Sequence, residues 1–554
     1  MRFAPTGLRS LSLAAVLTQA AVAAANPLQH KAAKAPVVNG TAPLHQGTVH
    51  GFVDAYGNSV FLGIPFAATT GGENRWQPPK DANKLKKGHV LDAAHYGPTC
   101  PQAMANPDYA PQGEDCLNLN IWVPPPRVQS QAPENAGLPV FVYMYGGAMV
   151  TGSSSDPRYI GTNFASSGVV FVSFNTREST YAYPNSAELR DTKSNESQNF
   201  GILDVDKALQ WVRDNIAQFG GDPDHVVFGG HSSGSVMVDY YLWNHPDTWL
   251  AGAVQMAANA KSGPAYAPTN QVLDIVAQEV QCPTGKGQLD CLRKVDMYAL
   301  QTASFNASLN TYFTPVVDNI TRFQDLEARF AAGKYASHVP LLTGNSNHEG
   351  SVFGFVYGSE NTNFSQWIRT FDADIAEVPY SLVESAYNMS DYASVSAMSG
   401  AQYGDARFFC PVDHLLDLRS EKQDTWIYRF MAEYSNTIPL PAQVPTHGGE
   451  IPFYFGGKDV FSRAGVVNVT AEEQDLADYQ HAWFVKWIKN PKASPGWAKA
   501  TPKTGSLGLL GMRGNELQIE HGSTADYNAR CQAIYNPYLP LYPVVQSIHA
   551  GGAQ

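Results

Sequence analysis

A chain of 554 residues that is 44% hydrophobic, 11% aromatic and only 16% charged has the composition of a packed globular protein and excludes a disordered one. Its 47 glycines and 37 prolines follow no period, which excludes collagen-like and low-complexity architectures. With 37 basic against 49 acidic residues the formal charge is −12, and there is no dense Lys/Arg run, so no nucleic-acid partner is expected and soluble neutral or cationic ligands fit better.

The chain opens with Arg2 and Arg9, an apolar stretch from Leu11 to Leu17 and a small-residue run ending Ala23, Ala24, Ala25. This is the layout of a secretory signal over residues 1–25, with Asn26 as the new N-terminus, and the apolar stretch is too short to span a bilayer. No later segment carries about 18 uninterrupted apolar residues, and the tail from Gly551 to Gln554 has no retention or GPI-type signal, so a secreted, extracellular protein with no stable membrane anchor is expected. Seven Asn-X-Ser/Thr sequons, at Asn39, Asn195, Asn306, Asn319, Asn363, Asn388 and Asn468, agree with export. So do six cysteines, at 100, 116, 282, 291, 410 and 531, an even number with no CxxC pair, which reads as disulfides rather than a metal site.

Residues 36 to 80 hold short β-type runs around a Gly57-Asn58 turn and predict a small antiparallel region. Beyond it, strand-like runs at Val140 to Tyr145, Val169 to Phe174, His225 to Gly229, Ala251 to Met256, Val339 to Thr343 and Trp426 to Phe430 alternate with helical patterns. The clearest helix is Asp204 to Phe219, with Val205, Ala208, Leu209, Val212 and Ile216 on one face. This alternation predicts an α/β fold with a large, mostly parallel sheet covered by helices, and no linker after residue 36 divides it, so residues 26–554 read as one domain.

The strand HVVFGG runs into HSSG, so residues 230 to 234 read G-x-S-x-G with Ser232 at the centre and an apolar helix, Val236 to Trp243, behind it. Gly230 and Gly234 suit a sharp strand-to-helix turn that lifts a serine into an exposed, strained position. Upstream, the strand ending at Tyr145 continues as Gly146-Gly147-Ala148, a loop whose backbone N–H groups can serve an oxyanion, and the N–H of Ser233 adds another. A serine hydroxyl needs an imidazole to take its proton, and the imidazole needs a carboxylate to fix its tautomer. Glu349 follows the strand-like VPLLTG and His447 lies beyond TWIYRF, which places both at the carboxyl edge of the predicted sheet in the order serine, acid, histidine. His231 is nearer in sequence, but its side chain is expected to point away from that of Ser232, which suits a supporting role. No HExxH, phosphate-binding glycine loop or zinc-type cysteine spacing occurs, so no metal and no cofactor are implied.

Together with EDCLNLNIW at 114 to 122, YGGAMVTGS at 145 to 153, the GILDVDKALQWVRDNIAQFGGDP run, NHEG at 347 to 350 and HGGEIPFYFG at 447 to 456, these motifs resemble the type-B carboxylesterase/lipase family of α/β-hydrolases over nearly the whole mature chain. The resemblance implies Ser232 as nucleophile, Glu349 as acid, His447 as base, and Gly147, Ala148 and Ser233 as oxyanion donors. It implies bridges Cys100–Cys116, Cys282–Cys291 and Cys410–Cys531. Ala148 departs from a commoner glycine, and His231 stands where the family usually has Glu or Gln.

The expected activity is hydrolysis of soluble short or medium acyl esters through an acyl-serine, with acyl transfer or lactone opening by the same residues as the alternative and a non-catalytic binding protein as a further one. The natural ester and the oligomeric state stay open. The loop between Cys100 and Cys116 is short, holds Pro101, Pro107 and Pro111 and no Trp, and so is expected neither to form a lipid-facing lid nor to cage a choline cation.

Overall fold

The computed structural model describes residues 40–538 apart from short segments at 45–46, 85–87, 103–105, 107–108, 130–136, 193–195, 261–271, 309–312, 359–362, 371–377, 435, 437–443, 464–465 and 502–504. The expected signal segment and the sequons Asn39 and Asn195 lie outside the described residues. The described residues form one compact unit.

Fourteen strands are seen among the described residues: β1 (Thr41–Leu44), β2 (Gly47–His50), β3 (Phe52–Val53), β4 (Ser59–Pro65), β5 (Val90–Asp92), β6 (Asn118–Val123), β7 (Leu138–Met144), β8 (Val170–Phe174), β9 (Gly221–His231), β10 (Gly252–Met256), β11 (Leu341–Ser346), β12 (Thr425–Phe430), β13 (Ser506–Leu510) and β14 (Ile519–Ser523). Strands β1, β2 and β5 make a small sheet. The other eleven form one sheet in the order β14-β13-β12-β11-β10-β9-β7-β8-β6-β4-β3. The seven from β8 to β13 in that order are parallel. The edges are antiparallel: β3, β4 and β6 on one side, β14 on the other. The expected N-terminal hairpin is the β3–β4 pair, closed where Asp54 N–H donates to the Asn58 carbonyl and Gly57 takes a φ of 87°.

Alternation along β7 divides the core. Val140, Val142 and Met144 join one cluster with Val205, Ala208, Leu209 and Val212 of the helix Phe200–Asn215. Phe141, Tyr143 and Tyr145 join the opposite one with Leu476, Ala477, Phe484 and Ile488 of the helix Ala471–Lys489. Successive side chains of a strand point to opposite faces, so one run of buried residues supports helices on both sides. Helix Ala471–Lys489 begins at a capping box, in which Thr470 and Glu473 satisfy each other's backbone N–H groups. The helix expected from Asp204 begins four residues earlier, at Phe200. Asp204 lies within it, fully buried, because Arg177 donates to its carboxylate from Nε at 2.8 Å and Nη2 at 2.6 Å.

Disulfides join Cys100 to Cys116, Cys282 to Cys291 and Cys410 to Cys531. The last connects segments 121 residues apart. The five described sequons, Asn306, Asn319, Asn363, Asn388 and Asn468, are all exposed.

Candidate active site

Strand β9 ends at His231 and the helix Ser233–Asn244 begins two residues later, leaving Ser232 alone to make the turn. Ser232 takes φ 56° and ψ −124°, a conformation L-residues rarely adopt. Its N–H donates to the Met256 carbonyl at 2.8 Å, which anchors the turn to the end of β10. The flanking glycines are steric requirements. A Cβ on Gly230 would stand 2.5 Å from the Gly234 carbonyl, and one on Gly234 would stand 2.3 Å from the Met144 carbonyl oxygen. The turn is thus wedged against β7 on one side and its own helix on the other.

The glycine loop after β7 runs alongside this turn. A Cβ on Gly146 would come within 2.7 Å of the Ser232 Cβ, and one on Gly147, whose φ is 139°, within 1.9 Å of the Thr151 carbonyl oxygen. Ala148 and Met149 follow at φ 56° and 63°, and the Met149 carbonyl is held by the Ser179 N–H at 2.8 Å. Ser233 is the first residue of its helix, where N–H groups have no acceptor within the helix and the positive end of the helix dipole emerges. Gly147, Ala148 and Ser233 therefore bring backbone donors to the same edge of the sheet as Ser232.

Glu349 follows β11 and His447 follows β12, the next strand over. His447 Nδ1 and Glu349 Oε2 are 2.6 Å apart, and the other Glu349 oxygen accepts the Ser346 N–H at 2.6 Å. Glu349 is fully buried, while the His447 side chain retains 11% of its exposure. Phe408 and Phe353 pack on the imidazole with ring centroids at 4.7 and 5.3 Å. Phe408 belongs to a π-helical turn, Asp405–Phe409, which adjoins Cys410 and its bridge to Cys531.

Two further groups complete the surroundings. His231 is buried, and its ring lies 4.5 Å from that of His447, so it packs directly against that imidazole. Burial holds its pKa well below the usual imidazole range, helped by the neighbouring His447 and Arg158. Glu450 was not singled out from the sequence, although its place three residues after His447 in HGGE was the available signal. It is fully buried and accepts the Ser346 hydroxyl at 2.7 Å, and burial followed by the proximity of Glu349 pushes its pKa up to about 8. Among the described residues no group of three or more His, Cys, Asp or Glu is arranged to hold a metal ion.

The carboxylesterase family model matches residues 38–527. The chain belongs to the carboxylesterase family. It is 29% identical over 447 residues to a para-nitrobenzyl esterase of Bacillus subtilis (strain 168), covering 76% of this chain and 84% of the relative. It is 28% identical over 493 residues to a fumonisin B1 esterase of Sphingopyxis macrogoltabida, covering 85% and 86%. A secreted lipase of Arthroderma benhamiae is 27% identical over 458 residues, with 77% and 79% covered. A solved PNB esterase superposes with a TM-score of 0.75 at 25% identity, covering 90% of this chain and 99% of that one. The fold is that of an α/β-hydrolase and the enzyme is a carboxylic ester hydrolase acting on small-molecule esters.

Proposed function

We propose that this carboxylesterase works through an acyl-serine intermediate formed on Ser232. His447 takes the hydroxyl proton as Ser232 attacks the ester carbonyl and returns it to the leaving alcohol, while Glu349 fixes the tautomer and balances the imidazolium. The N–H groups of Gly147, Ala148 and Ser233 receive the oxyanion. The observation that carries this reading is the 2.6 Å contact between His447 Nδ1 and Glu349, with the same imidazole packed on the residue preceding Ser232. Water then attacks the acyl-serine with His447 as base, and the acid is released.

Secretion is part of the same proposal. The signal layout of residues 1–25, the three disulfides, the five exposed sequons as glycan acceptors and the likeness to a secreted lipase all support it. No helix among the described residues is long and apolar enough to cross a membrane. The substrates proposed are soluble short or medium acyl esters, including natural-product esters.

A fluorophosphonate probe tests the nucleophile: labelling at Ser232 alone, with turnover lost by roughly 10⁴- to 10⁶-fold in Ser232→Ala, is the expected outcome. Labelling at Ser233, or undiminished turnover, refutes the assignment. A rate panel over acyl length, choline esters, hydroxycinnamate esters and emulsified triglyceride then identifies the substrate class.

A further inference from the structure

Behind His447 the structure leaves two buried polar atoms facing each other without hydrogen-bond partners. His231 Nε2 and Glu450 Oε1 are 3.8 Å apart, and neither makes a hydrogen bond elsewhere. An orphaned donor or acceptor in a packed interior is costly, and here each is the natural partner of the other. A side-chain shift of about 1 Å brings them to normal hydrogen-bond distance.

The surroundings decide the protonation of such a pair. His231 is faced by the His447 ring at 4.5 Å, by Gly448, whose added Cβ would meet the His231 Cε1 at 3.5 Å, and by the field of Arg158. Glu450 is faced by the Ser346 hydroxyl and the backbone N–H groups of Gly448 and Glu450, which favour its ionised form, and by the Glu349 carboxylate and Tyr428, Tyr454, Tyr143 and Tyr159, with burial outweighing the donors. A charged His231 would oppose the imidazolium that His447 becomes during acyl transfer. An ionised Glu450 would place a second carboxylate on Ser346, which already holds Glu349 through its N–H. A neutral pair avoids both conflicts.

We propose that His231 and Glu450 form a neutral hydrogen-bonded pair, one proton lying between Nε2 and Oε1, and that this pair is the positioning element for the His447 ring. His231 Nδ1 then keeps its own proton, Glu450 Oε1 carries the shared one, and Glu450 Oε2 accepts from Ser346. The burial that favours neutral His231 and neutral Glu450 agrees with this state. His231 acts through ring contact on His447, and Glu450 acts through His231. The pair leaves the charge of the site to Glu349 and His447.

The proposal rests on the reading of His447 as the base, and its test separates the two. Infrared difference spectra of the whole protein at pH 7 should contain a protonated-carboxyl carbonyl band that is absent from Glu450→Gln, present in Ser232→Ala, and titrates with a midpoint at about 8. Because Ser232→Ala reads the band without turnover, failure of the nucleophile assignment leaves this arm intact. In kinetics, His231→Ala and Glu450→Ala should each lower kcat by more than about tenfold with KM changed less than about threefold, and Glu450→Gln, which keeps a neutral donor, should recover most of the loss. If either alanine variant fails to fold, the band and the Glu450→Gln kinetics still decide. No carboxyl band lost in Glu450→Gln, equal damage by Glu450→Gln and Glu450→Ala, or an unchanged kcat in a folded His231→Ala overturns the proposal.

Discussion

His348, two residues past the end of β11, and Thr446, in the loop that follows β12, form an isolated parallel β-bridge. The His348 N–H donates to the Pro445 carbonyl at 2.9 Å, and the Thr446 hydroxyl accepts the Val352 N–H at 3.1 Å. Each residue of the bridge immediately precedes a proposed catalytic one. Backbone pairing thus extends the sheet by one step and delivers Glu349 and His447, 98 residues apart in sequence, to hydrogen-bonding distance. The arrangement is held by main chain rather than by side-chain rotamers alone, which suits a site that must keep its geometry to fractions of an ångström.

Strain at Ser232 gives the first prediction. A non-glycine residue at φ 56°, ψ −124° costs on the order of 1 to 3 kcal/mol, whereas glycine adopts that region freely. Ser232→Gly should therefore abolish ester turnover and leave thermal stability equal to or up to about 2 °C above the parent, since glycine's extra unfolded-state entropy offsets part of the relief. Differential scanning calorimetry beside an activity assay reads both. A variant markedly less stable than Ser232→Ala would mean the turn is not strained.

That strain is legible in the sequence, because Gly230 and Gly234 flank Ser232 at the positions where such a turn leaves no room for a Cβ, and the central strands are equally plain. Runs such as Val140 to Tyr145 and Trp426 to Phe430 are buried on both faces and carry few polar residues. The short strands at one end of the sheet are not legible: β13, SLGLL, and the edge strand β14, IEHGS, owe their pairing to neighbours and lack β-branched runs. The helix starts at Phe200 rather than at Asp204, and what lets Asp204 lie buried inside it is Arg177, 27 residues away in sequence. Glu450 depends on distant partners in the same way. Its meaning comes from Ser346, Glu349 and His231, which tertiary structure alone brings together.

Glu178 supplies the second prediction. It is buried at the loop after β8, where the Tyr145 hydroxyl donates to it at 3.0 Å and the Thr176 hydroxyl at 3.2 Å. Burial raises its pKa well above the glutamate range, and nearby Asp204 adds to the rise. A raised folded-state pKa means that the folded protein binds more protons than the unfolded chain, so stability falls as pH rises from the unfolded glutamate value through the folded one. Glutamine at this position stays neutral throughout. Glu178→Gln should match the parent near pH 4 and exceed it progressively at higher pH, by on the order of 2 °C in Tm at pH 8. Melting curves across that range check it, and a difference that is largest in acid would reverse the assigned protonation.

The third prediction concerns the loop closed by Cys100–Cys116. Its described residues contain no helix, and they are fastened to the segment that follows the glycine loop. The Gln102 amide oxygen accepts the Gly152 N–H at 2.8 Å and the Thr151 hydroxyl at 2.6 Å, and its nitrogen donates to the Gly152 carbonyl at 2.9 Å. Farther along, the Tyr109 hydroxyl donates to Asp156 at 3.1 Å and the Ala110 N–H to the Ser155 hydroxyl at 2.9 Å. Lifting the loop as a lid would break this set and expose buried Gln102 without offering an apolar face to lipid in return. Activation at an oil surface depends on that exchange being favourable. Rates on tributyrin should therefore rise smoothly to saturation below the solubility limit and show no jump when an emulsion forms. Gln102→Ala, which releases the loop's main anchor, should lower Tm without creating an interfacial jump. A rate that climbs several-fold as droplets appear would show that the loop opens despite its fastenings.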